Sequence, residues 1–274
     1  MIVVTGSSGK IGKELVRLLA ERGETLREIP HHDLAGGPDT LFAAFDGGEK
    51  LFLLSKNSDD MVRLQKNAVE AARRFGVTHV VKLSALGATD HSKSVIALWH
   101  YNVERVVRES GLTWTFLRPH AFMDNLLDQR DNIVKEGAVY SPAGESRVPM
   151  IDTRDIAKAA AVTLTEPGHE GKIYTLTGPQ AISYRQATEI LSRVLGRPLK
   201  FVPETEDEAW ARLRRGGLPA WQIAAFLTIA AYQRGGGLTE KVTPDLEKLI
   251  GRPPRTFEQF ARDRATAFNA GKEM

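Results

Sequence analysis

Short apolar runs alternate with helical patterns along the first 120 residues of the chain. The runs stand at 2–5, 50–55, 77–84 and 114–119. The segments between them carry apolar residues at helical spacing, as at Ile11, Leu15 and Leu19, and the first helical pattern stops at Gly23. Strands that are apolar at nearly every position are buried on both faces, and parallel strands of this kind are joined by crossover helices. The sequence therefore predicts an α/β fold on a Rossmann-like parallel sheet.

The segment between Gly23 and the run at residue 50 is short for such a fold. It comprises residues 24 to 49, which is 26 residues, and one strand–helix–strand unit takes about 30. There is room for one strand, at 25–29, and one helix, near 40–45. We therefore expect one strand–helix unit of the sheet to be missing or severely compressed.

Three glycines follow the first strand directly and open the first helix. Gly6, Gly9 and Gly12 form a G-x-x-G-x-x-G pattern, which allows a tight turn and a close approach of the backbone to a ligand. The amides at the start of a helix are free donors at the positive end of the helix dipole, which suits a diphosphate. The pattern predicts a dinucleotide phosphate site, and the alternative is a structural turn that binds no nucleotide.

The regular alternation of apolar strands and helices ends at about residue 120, and helical patterns predominate after it. Helices are predicted at 121–135, 153–165, 183–195, 206–215, 219–233, 244–250 and 257–269, and strands at 138–141, 172–177 and 199–202. One helix starts with a capping box, Ser183 with Gln186. This pattern divides the chain into a Rossmann-like dinucleotide-binding domain (1–120, which also receives segments of 138–177) and a smaller, mostly helical substrate domain (121–274).

Composition excludes several kinds of site. The chain has no cysteine, which rules out disulfides, thiolate zinc sites, iron–sulfur centres and a cysteine nucleophile. The net charge is only +3 and spread along the chain, so nucleic-acid binding is not expected. The longest apolar stretch, 219–232, is too short to span a bilayer, which takes about 20 residues. We expect no metal, no membrane partner and, with no signal peptide visible, a cytoplasmic protein.

Several motifs occur together in an order that resembles a known family. Besides the glycine loop, they are LFLLS, VVKLSALGA, SGLTWTFLRP, FMDN, VPMIDTRDIAKAAA and LIGRPPRTFEQF. Together they resemble the NmrA-like, atypical short-chain dehydrogenase/reductase family over nearly the whole chain. The resemblance implies a Rossmann-type domain, an NADP or NAD cofactor and a small-molecule substrate. Members of the family include NAD(P)H-dependent reductases of quinones and dyes, and redox-sensing regulators with little or no catalysis.

The resemblance also implies site residues. Ser55 matches the strand end that passes the ribose, Ser84 the serine beside the nicotinamide, and Asp33 an acid that borders adenine. The cofactor-binding residues implied are Gly6, Ser7, Ser8, Gly9, Lys10, Ile11, Asp33, Leu34, Ser55, Ser84 and Pro119. The substrate-binding residues that we expect are His120, Phe122 and Phe226.

The chain departs from the family in its catalytic residues. Conventional relatives carry a Tyr-x-x-x-Lys dyad on the helix after the serine strand, and the register gives His100 and Glu104 here, preceded by Ile96 instead of a tyrosine. Tyr101 is one residue out of register and so faces about 100° away. We therefore expect the dyad to be absent, and the candidate catalytic residues are Ser84 and His100. For His100 a structural or ribose-binding role and an acid role both remain open, and the proton could also come from water or from the substrate.

The segment at 24–49 also departs from the family. In one alignment Asp33 lies beside adenine and the residue that reads the adenosine 2′ position is deleted. In the other, 25–29 is the second strand and Asp33 is its terminal acid, which favours NAD. We prefer the first alignment, which predicts weakened cofactor affinity.

These features predict an NAD(P)H-dependent reductase of a small, aromatic or quinone-like electrophile. One alternative is a non-catalytic NAD(P)-sensing regulator that binds a partner protein. The other is a degenerate member with weak or no cofactor binding that serves a non-redox reaction. The apolar helix at 219–232 is core, a wall of the substrate pocket or the face of a possible homodimer.

Overall fold

The computed structural model describes residues 1–269. The strands are β1 (Ile2–Thr5), β2 (Leu26–Ile29), β3 (Lys50–Leu53), β4 (His79–Leu83), β5 (Thr113–Pro119), β6 (Ala138–Ser141), β7 (Arg147–Val148), β8 (Lys172–Leu176), β9 (Ile182–Ser183) and β10 (Lys200–Pro203). The helices are α1 (Lys10–Glu21), α2 (Phe42–Phe45), α3 (Met61–Arg74), α4 (Val95–Glu109), α5 (Arg130–Lys135), α6 (Thr153–Thr165), α7 (Tyr184–Leu195), α8 (Glu206–Arg215), α9 (Ala220–Arg234), α10 (Asp245–Ile250), α11 (Phe257–Asp263) and α12 (Ala265–Asn269). Short 3₁₀ turns occur at Asp33–Gly36, Pro38–Leu41, Met123–Gln129 and Gly237–Thr239.

Six strands form one parallel sheet in the order β2-β1-β3-β4-β5-β8. The strands β1 and β4 are buried along their whole length, as their nearly continuous apolar sequences predict. The predicted α/β fold with a Rossmann-like parallel sheet is confirmed. Because β2 and β3 lie on opposite sides of β1, the chain reverses its direction of travel across the sheet at β1, and open α/β sheets bind ligands at such a point.

A single strand separates α1 from β3, as the shortness of 24–49 predicts. This strand, β2, pairs directly with β1, and Thr5 lies opposite Ile29. The rest of the segment forms two 3₁₀ turns and the single-turn helix α2. The pairing places 26–29 in the position of the second strand, so it favours the alignment in which Asp33 follows that strand over the alignment that we preferred.

The chain divides into two compact units. The first comprises 1–119, 153–176 and 245–252, and the second comprises 120–152, 177–244 and the described residues from 253 onward. The segment that returns to the sheet therefore starts at residue 153, not at 138, because β6 pairs with β10 in the second unit. The first unit also gains α10, whose Asp245 carboxylate accepts a 2.8 Å hydrogen bond from the Thr175 amide of β8.

The second unit has its own apolar core, which includes Met123, Leu191, Phe257 and Phe260. Its helices begin largely where the sequence predicts. Ser183 and Gln186 form the predicted capping box at the start of α7. The predicted helix at 121–135 begins instead as a 3₁₀ turn, and the one at 257–269 is divided into α11 and α12.

The helix α9 is not buried all round, although its sequence is apolar. Ile223 is fully buried, whereas Ile229 and Tyr232 are 36% and 43% exposed. Phe226 is half-buried. Within residues 1–269, no helix combines the length and the apolar character needed to cross a membrane.

Candidate functional site

The glycine loop between β1 and α1 is tightly packed against itself. Gly6 has a φ of +69°, and a Cβ there would stand 2.8 Å from the carbonyl oxygen of Leu54. A Cβ at Gly12 would stand 2.1 Å from the carbonyl oxygen of Gly6. Both distances are shorter than any van der Waals contact, so these two positions require glycine for the turn itself.

Gly9 differs from the other two glycines because the space beside it is open. It is the N-cap of α1, with a φ of −78°, and no side chain caps the helix there. A Cβ at Gly9 would have only the carbonyl oxygen of Gly6 within 4 Å, at 3.5 Å, apart from its chain neighbours. Ser8, Gly9 and Lys10 are exposed and Ser7 is half-buried, whereas the Ile11 side chain is buried. The first amides of α1 therefore face an open space that an anion can enter.

Thr5 fixes this loop to the end of the neighbouring strand β3. Its hydroxyl lies 2.8 Å from the carbonyl oxygen of Leu54 and accepts a 2.9 Å hydrogen bond from the Leu54 amide. Ser55, the next residue, is 7% exposed. The predicted pyrophosphate loop and the predicted ribose residue Ser55 thus lie side by side at the carboxyl edge of the sheet.

The residues directly after β2 are exposed or half-buried, apart from Leu34. The ring nitrogen Nε2 of His32 lies 3.1 Å from a carboxylate oxygen of Asp33 at the surface. Leu34 is 1% exposed and belongs to the core of the first unit. A contact between Leu34 and a bound adenine would therefore have to involve its backbone.

A chain of buried polar side chains runs from Ser55 into the sheet. The Ser55 hydroxyl accepts a 2.9 Å hydrogen bond from the Gln65 amide nitrogen. The amide oxygen of Gln65 accepts a 3.0 Å hydrogen bond from Lys82 Nζ, which also donates to the carbonyl oxygen of Leu83 at 3.0 Å. Lys82 Nζ lies 3.2 Å from His100 Nδ1. The chain thus connects a residue at the end of β3 with α3, β4 and α4.

Burial shifts the titration of two groups in this chain. Gln65 and Lys82 are fully buried, and His100 is 6% exposed. Burial lowers the pKa of Lys82 from 10.5 to about 7, against the attraction of the Glu104 carboxylate. Burial and the nearby Lys82 ammonium lower the pKa of His100 well below 6.5, so the ring is neutral while Lys82 carries the proton.

Glu104 lies one turn after His100 on α4 and is surrounded by donors. Arg118 binds both of its carboxylate oxygens, at 2.9 and 2.6 Å. Arg108 donates to one oxygen at 3.2 Å, and the Ser84 hydroxyl donates to the other at 2.6 Å. The hydroxyl proton of Ser84, the residue after β4, is therefore already bound by a buried carboxylate, and its role toward a cofactor or substrate stays a prediction.

The remaining predicted residues follow β5. Pro119 is buried, and its carbonyl oxygen accepts a 3.1 Å hydrogen bond from the Leu86 amide. His120, in the second unit, is 7% exposed, and burial lowers its pKa to about 4. Its Nδ1 accepts a 2.7 Å hydrogen bond from the Ala121 amide. Phe122 is half-buried and pairs with Ile151 through a backbone bridge. The roles of His120, Phe122 and Phe226 toward a substrate stay predictions.

Residues 1–269 hold no cluster of three or more metal-ligating His, Asp or Glu side chains. Asp155, at the start of α6, is fully buried and forms a 2.6 Å ion pair with Arg252 of the same unit.

Sequence reasoning did not identify Lys82 and Gln65. A signal for both is present, because each is a polar residue on a face that the sequence predicts to be buried: Lys82 within the apolar run 77–84, and Gln65 next to Leu64 on the apolar side of α3. Their contacts cannot be derived from sequence spacing, because Gln65, Lys82 and His100 belong to three different elements, α3, β4 and α4.

The chain is similar to known proteins along nearly its whole length. The chain is 36% identical over 286 residues to an NAD(P)H azoreductase of Xenophilus azovorans, covering 98% of this chain and all of the relative. An NADPH-dependent quinone oxidoreductase of Escherichia coli, solved in complex with NADPH, superimposes with a TM-score of 0.82 at 26% identity over 96% of this chain and 99% of that one. A triphenylmethane reductase of Citrobacter sp., solved with NADP(H), gives a TM-score of 0.81 at 27% identity over 97% and 100% of the two chains.

The family comparison covers most of the molecule. Residues 25–261 match the profile of the NmrA-like family, and this range includes a large part of each unit and every strand after β1. The chain therefore belongs to the NmrA-like family.

Proposed function

We propose that this protein is an NAD(P)H-dependent reductase of a small aromatic or quinone-like compound. The observation that carries the proposal is the open N-terminus of α1 at Gly9, at the point where the sheet order reverses. Backbone amides and the helix dipole at this point favour a diphosphate. The relatives with azoreductase, quinone oxidoreductase and dye reductase names support the reaction class.

The residues at the carboxyl edge fit a dinucleotide. Gly6 and Gly12 are compressed against neighbouring backbone, and Gly9 alone leaves room beside the first amides of α1, which is the position where a diphosphate needs to approach. Ser55 lies at the end of the next strand, where the ribose would follow. Ser84 directly follows β4, and Pro119 is the last residue of β5. We assign these two residues to the nicotinamide end of the cofactor.

When bound, the reduced nicotinamide supplies a hydride, which is one hydrogen with two electrons. The protein's part is to hold substrate and cofactor at the same edge of the sheet and to provide a proton. We propose that no Tyr-x-x-x-Lys dyad does this, because Ile96 stands where the tyrosine would be. We assign the proton to His100, the candidate acid on α4.

Asp33 bears on the choice between NADPH and NADH. It begins the 3₁₀ turn that follows β2, four residues after Ile29. A carboxylate after the second strand favours a ribose diol and repels a 2′-phosphate. We propose that Asp33 lowers the preference for NADPH without determining which cofactor is used.

Turnover tests the proposal. Purified protein is mixed with NADPH or NADH and a panel of a benzoquinone, a naphthoquinone, an azo dye and a triphenylmethane dye, and the loss of reduced nicotinamide absorbance is followed. We expect oxidation with at least one acceptor. Cofactor binding in a calorimeter without oxidation by any acceptor would instead favour a sensing role, and no binding at all would contradict the proposed function.

A further inference from the structure

Lys82 is a buried charge without a direct counter-ion among residues 1–269. Its side chain is fully buried in the middle of the sheet, and among residues 1–269 its Nζ contacts the Gln65 amide oxygen, the Leu83 carbonyl oxygen and His100 Nδ1. The carboxylate that attracts it, Glu104, is already bound by two arginines and a hydroxyl. Burying an ammonium without a salt bridge is costly, and an apolar residue would stabilise the fold better.

The geometry determines where the hydrogens lie. An ammonium has three N–H donors, and Lys82 has three neighbours that can accept. When Lys82 is charged, His100 Nδ1 must accept, so the ring carries its hydrogen on Nε2. When Lys82 is a neutral amine, its lone pair can accept from Nδ1–H and the ring changes to the other tautomer. The state of Lys82 therefore determines the tautomer of His100.

The far side of the His100 ring is available for proton transfer. Nε2 forms no hydrogen bond to the described part of the chain and is not sealed from solvent. The ring of this buried residue, which is 6% exposed, thus has one nitrogen that faces Lys82 and a second nitrogen without a partner in residues 1–269. An imidazole in this position can take a proton at one nitrogen and release one at the other without rotating.

We propose that Lys82 and His100 form a proton relay that supplies the proton of the reduction, with Lys82 Nζ as the source and His100 Nε2 as the donor to the substrate. This inference rests on the proposed function. His100 touches the substrate, and Lys82 acts through it. The relay assigns a role to Lys82 that the Tyr-x-x-x-Lys dyad would otherwise fill.

The step balances for a quinone. Hydride transfer adds one hydrogen and two electrons, and the quinone becomes a hydroquinone monoanion. The anion takes the proton from His100 Nε2 while Nδ1 takes one from Lys82 Nζ, which leaves a neutral hydroquinone, a neutral imidazole with its hydrogen on Nδ1 and a neutral amine. Water then returns one proton by the reverse path.

The surrounding charges favour a transferable proton. Burial lowers the pKa of Lys82 to about 7, and the Glu104 carboxylate on α4 opposes this shift. Arg118 from β5 and Arg108 from α4 are both held by Glu104, and the partner from α3, Gln65, is neutral. An acid with a pKa near the working pH is both protonated often enough and acidic enough to donate.

The first test needs neither cofactor nor turnover. Imidazole nitrogen shifts of histidine are recorded by NMR from about pH 6 to about pH 9, with His100 assigned by loss of its signals in His100→Gln. We expect His100 to change from the Nε2–H to the Nδ1–H tautomer with a midpoint near 7, the pKa of Lys82, while the ring stays neutral. In Lys82→Met this change should disappear. A tautomer that stays constant over the range would overturn the relay, even if the protein reduces quinones.

The second test is kinetic and separates the relay from a structural role. Lys82→Met should lower kcat about 100-fold with little change in the KM for NADPH, and should abolish the decline of kcat above the pKa of Lys82. Lys66→Met, an exposed lysine beside Gln65 on α3, is the matched control and should behave as the wild type. If Ser84→Ala abolishes turnover while Lys82→Met does not, the proton comes from Ser84 and the relay is wrong. Absence of turnover in the wild type contradicts the proposed function, whereas the NMR result stands independently.

Discussion

The buried Lys82 should make the stability of the protein depend on pH in a specific way. Its pKa is 10.5 as an ordinary lysine and about 7 in the fold. Between these values the unfolded chain binds a proton that the folded chain does not, so the free energy of unfolding rises with pH, by about 1.4 kcal/mol for each pH unit. The whole pKa difference corresponds to about 5 kcal/mol, which is the order of magnitude by which charged Lys82 destabilises the fold below pH 7.

Replacing the lysine by methionine removes this dependence. Lys82→Met gives an unbranched side chain one atom shorter and removes the charge, but it also leaves the Gln65 oxygen without its donor, which costs about 1–3 kcal/mol at every pH. We therefore expect the variant to be more stable than the wild type near pH 7 and to lose that advantage as the pH rises. From pH 7, where folded Lys82 is half protonated, to pH 9 the difference should shrink by about 2.3 kcal/mol.

The assay is urea unfolding followed by circular dichroism at several pH values, and the slope of the stability difference is the decisive quantity. Lys66→Met serves as the control, because its side chain is exposed on the same helix as Gln65. Parallel stability curves for the wild type and Lys82→Met would refute the argument, since they would mean that Lys82 has the same protonation in the folded and unfolded chains.

Further predictions concern the neighbouring groups. Glu104→Gln should destabilise the protein by about 3–5 kcal/mol in urea unfolding, because Arg118 loses a bidentate partner in a buried position, whereas the exposed Glu109→Gln on the same helix should change stability by less than about 0.5 kcal/mol. Asp33→Asn should raise the ratio of kcat/KM for NADPH to that for NADH, by about 10-fold if the carboxylate faces the 2′ position, and an unchanged ratio would place Asp33 elsewhere. Gly12→Ala should destabilise the loop and weaken NADPH binding together, because its Cβ would stand 2.1 Å from the Gly6 carbonyl oxygen. Unchanged binding by a folded Gly12→Ala protein would show that the turn is not needed.

The sequence predicts the elements of this fold well, because their causes are local. Helix α6 occupies 153–165 as predicted, and the Ser183 capping box starts α7 where the sequence places it. The small number of residues in 24–49 also predicts correctly that only one strand, β2, lies between α1 and β3. The pairing of β2 does not follow, since a strand of four residues gives no indication of its neighbour.

The candidate site is only partly predictable, because only some of its features arise from residues that are close together in sequence. The glycine loop can be identified from sequence because its turn, its helix start and its anion preference arise within eight residues. The proposed relay joins Gln65, Lys82 and His100 from three elements, and their distances depend on how two helices pack on the sheet. A lysine within an apolar strand could have been noticed from sequence, but its partners could not.

The central claim is that the free amides at the start of α1 bind the diphosphate of the cofactor. NADPH titration of Gly9→Ala tests this claim most directly. The residue has a φ of −78° and room for a methyl group, so the variant should fold with unchanged or slightly higher stability. The methyl group would occupy the space where the diphosphate meets the amides, and we expect the Kd measured by calorimetry to rise at least about 10-fold, a loss of about 1.4 kcal/mol. Gly216→Ala, at the end of α8 with a φ of −73°, should bind NADPH like the wild type. Equal affinity of Gly9→Ala and the wild type would contradict the account.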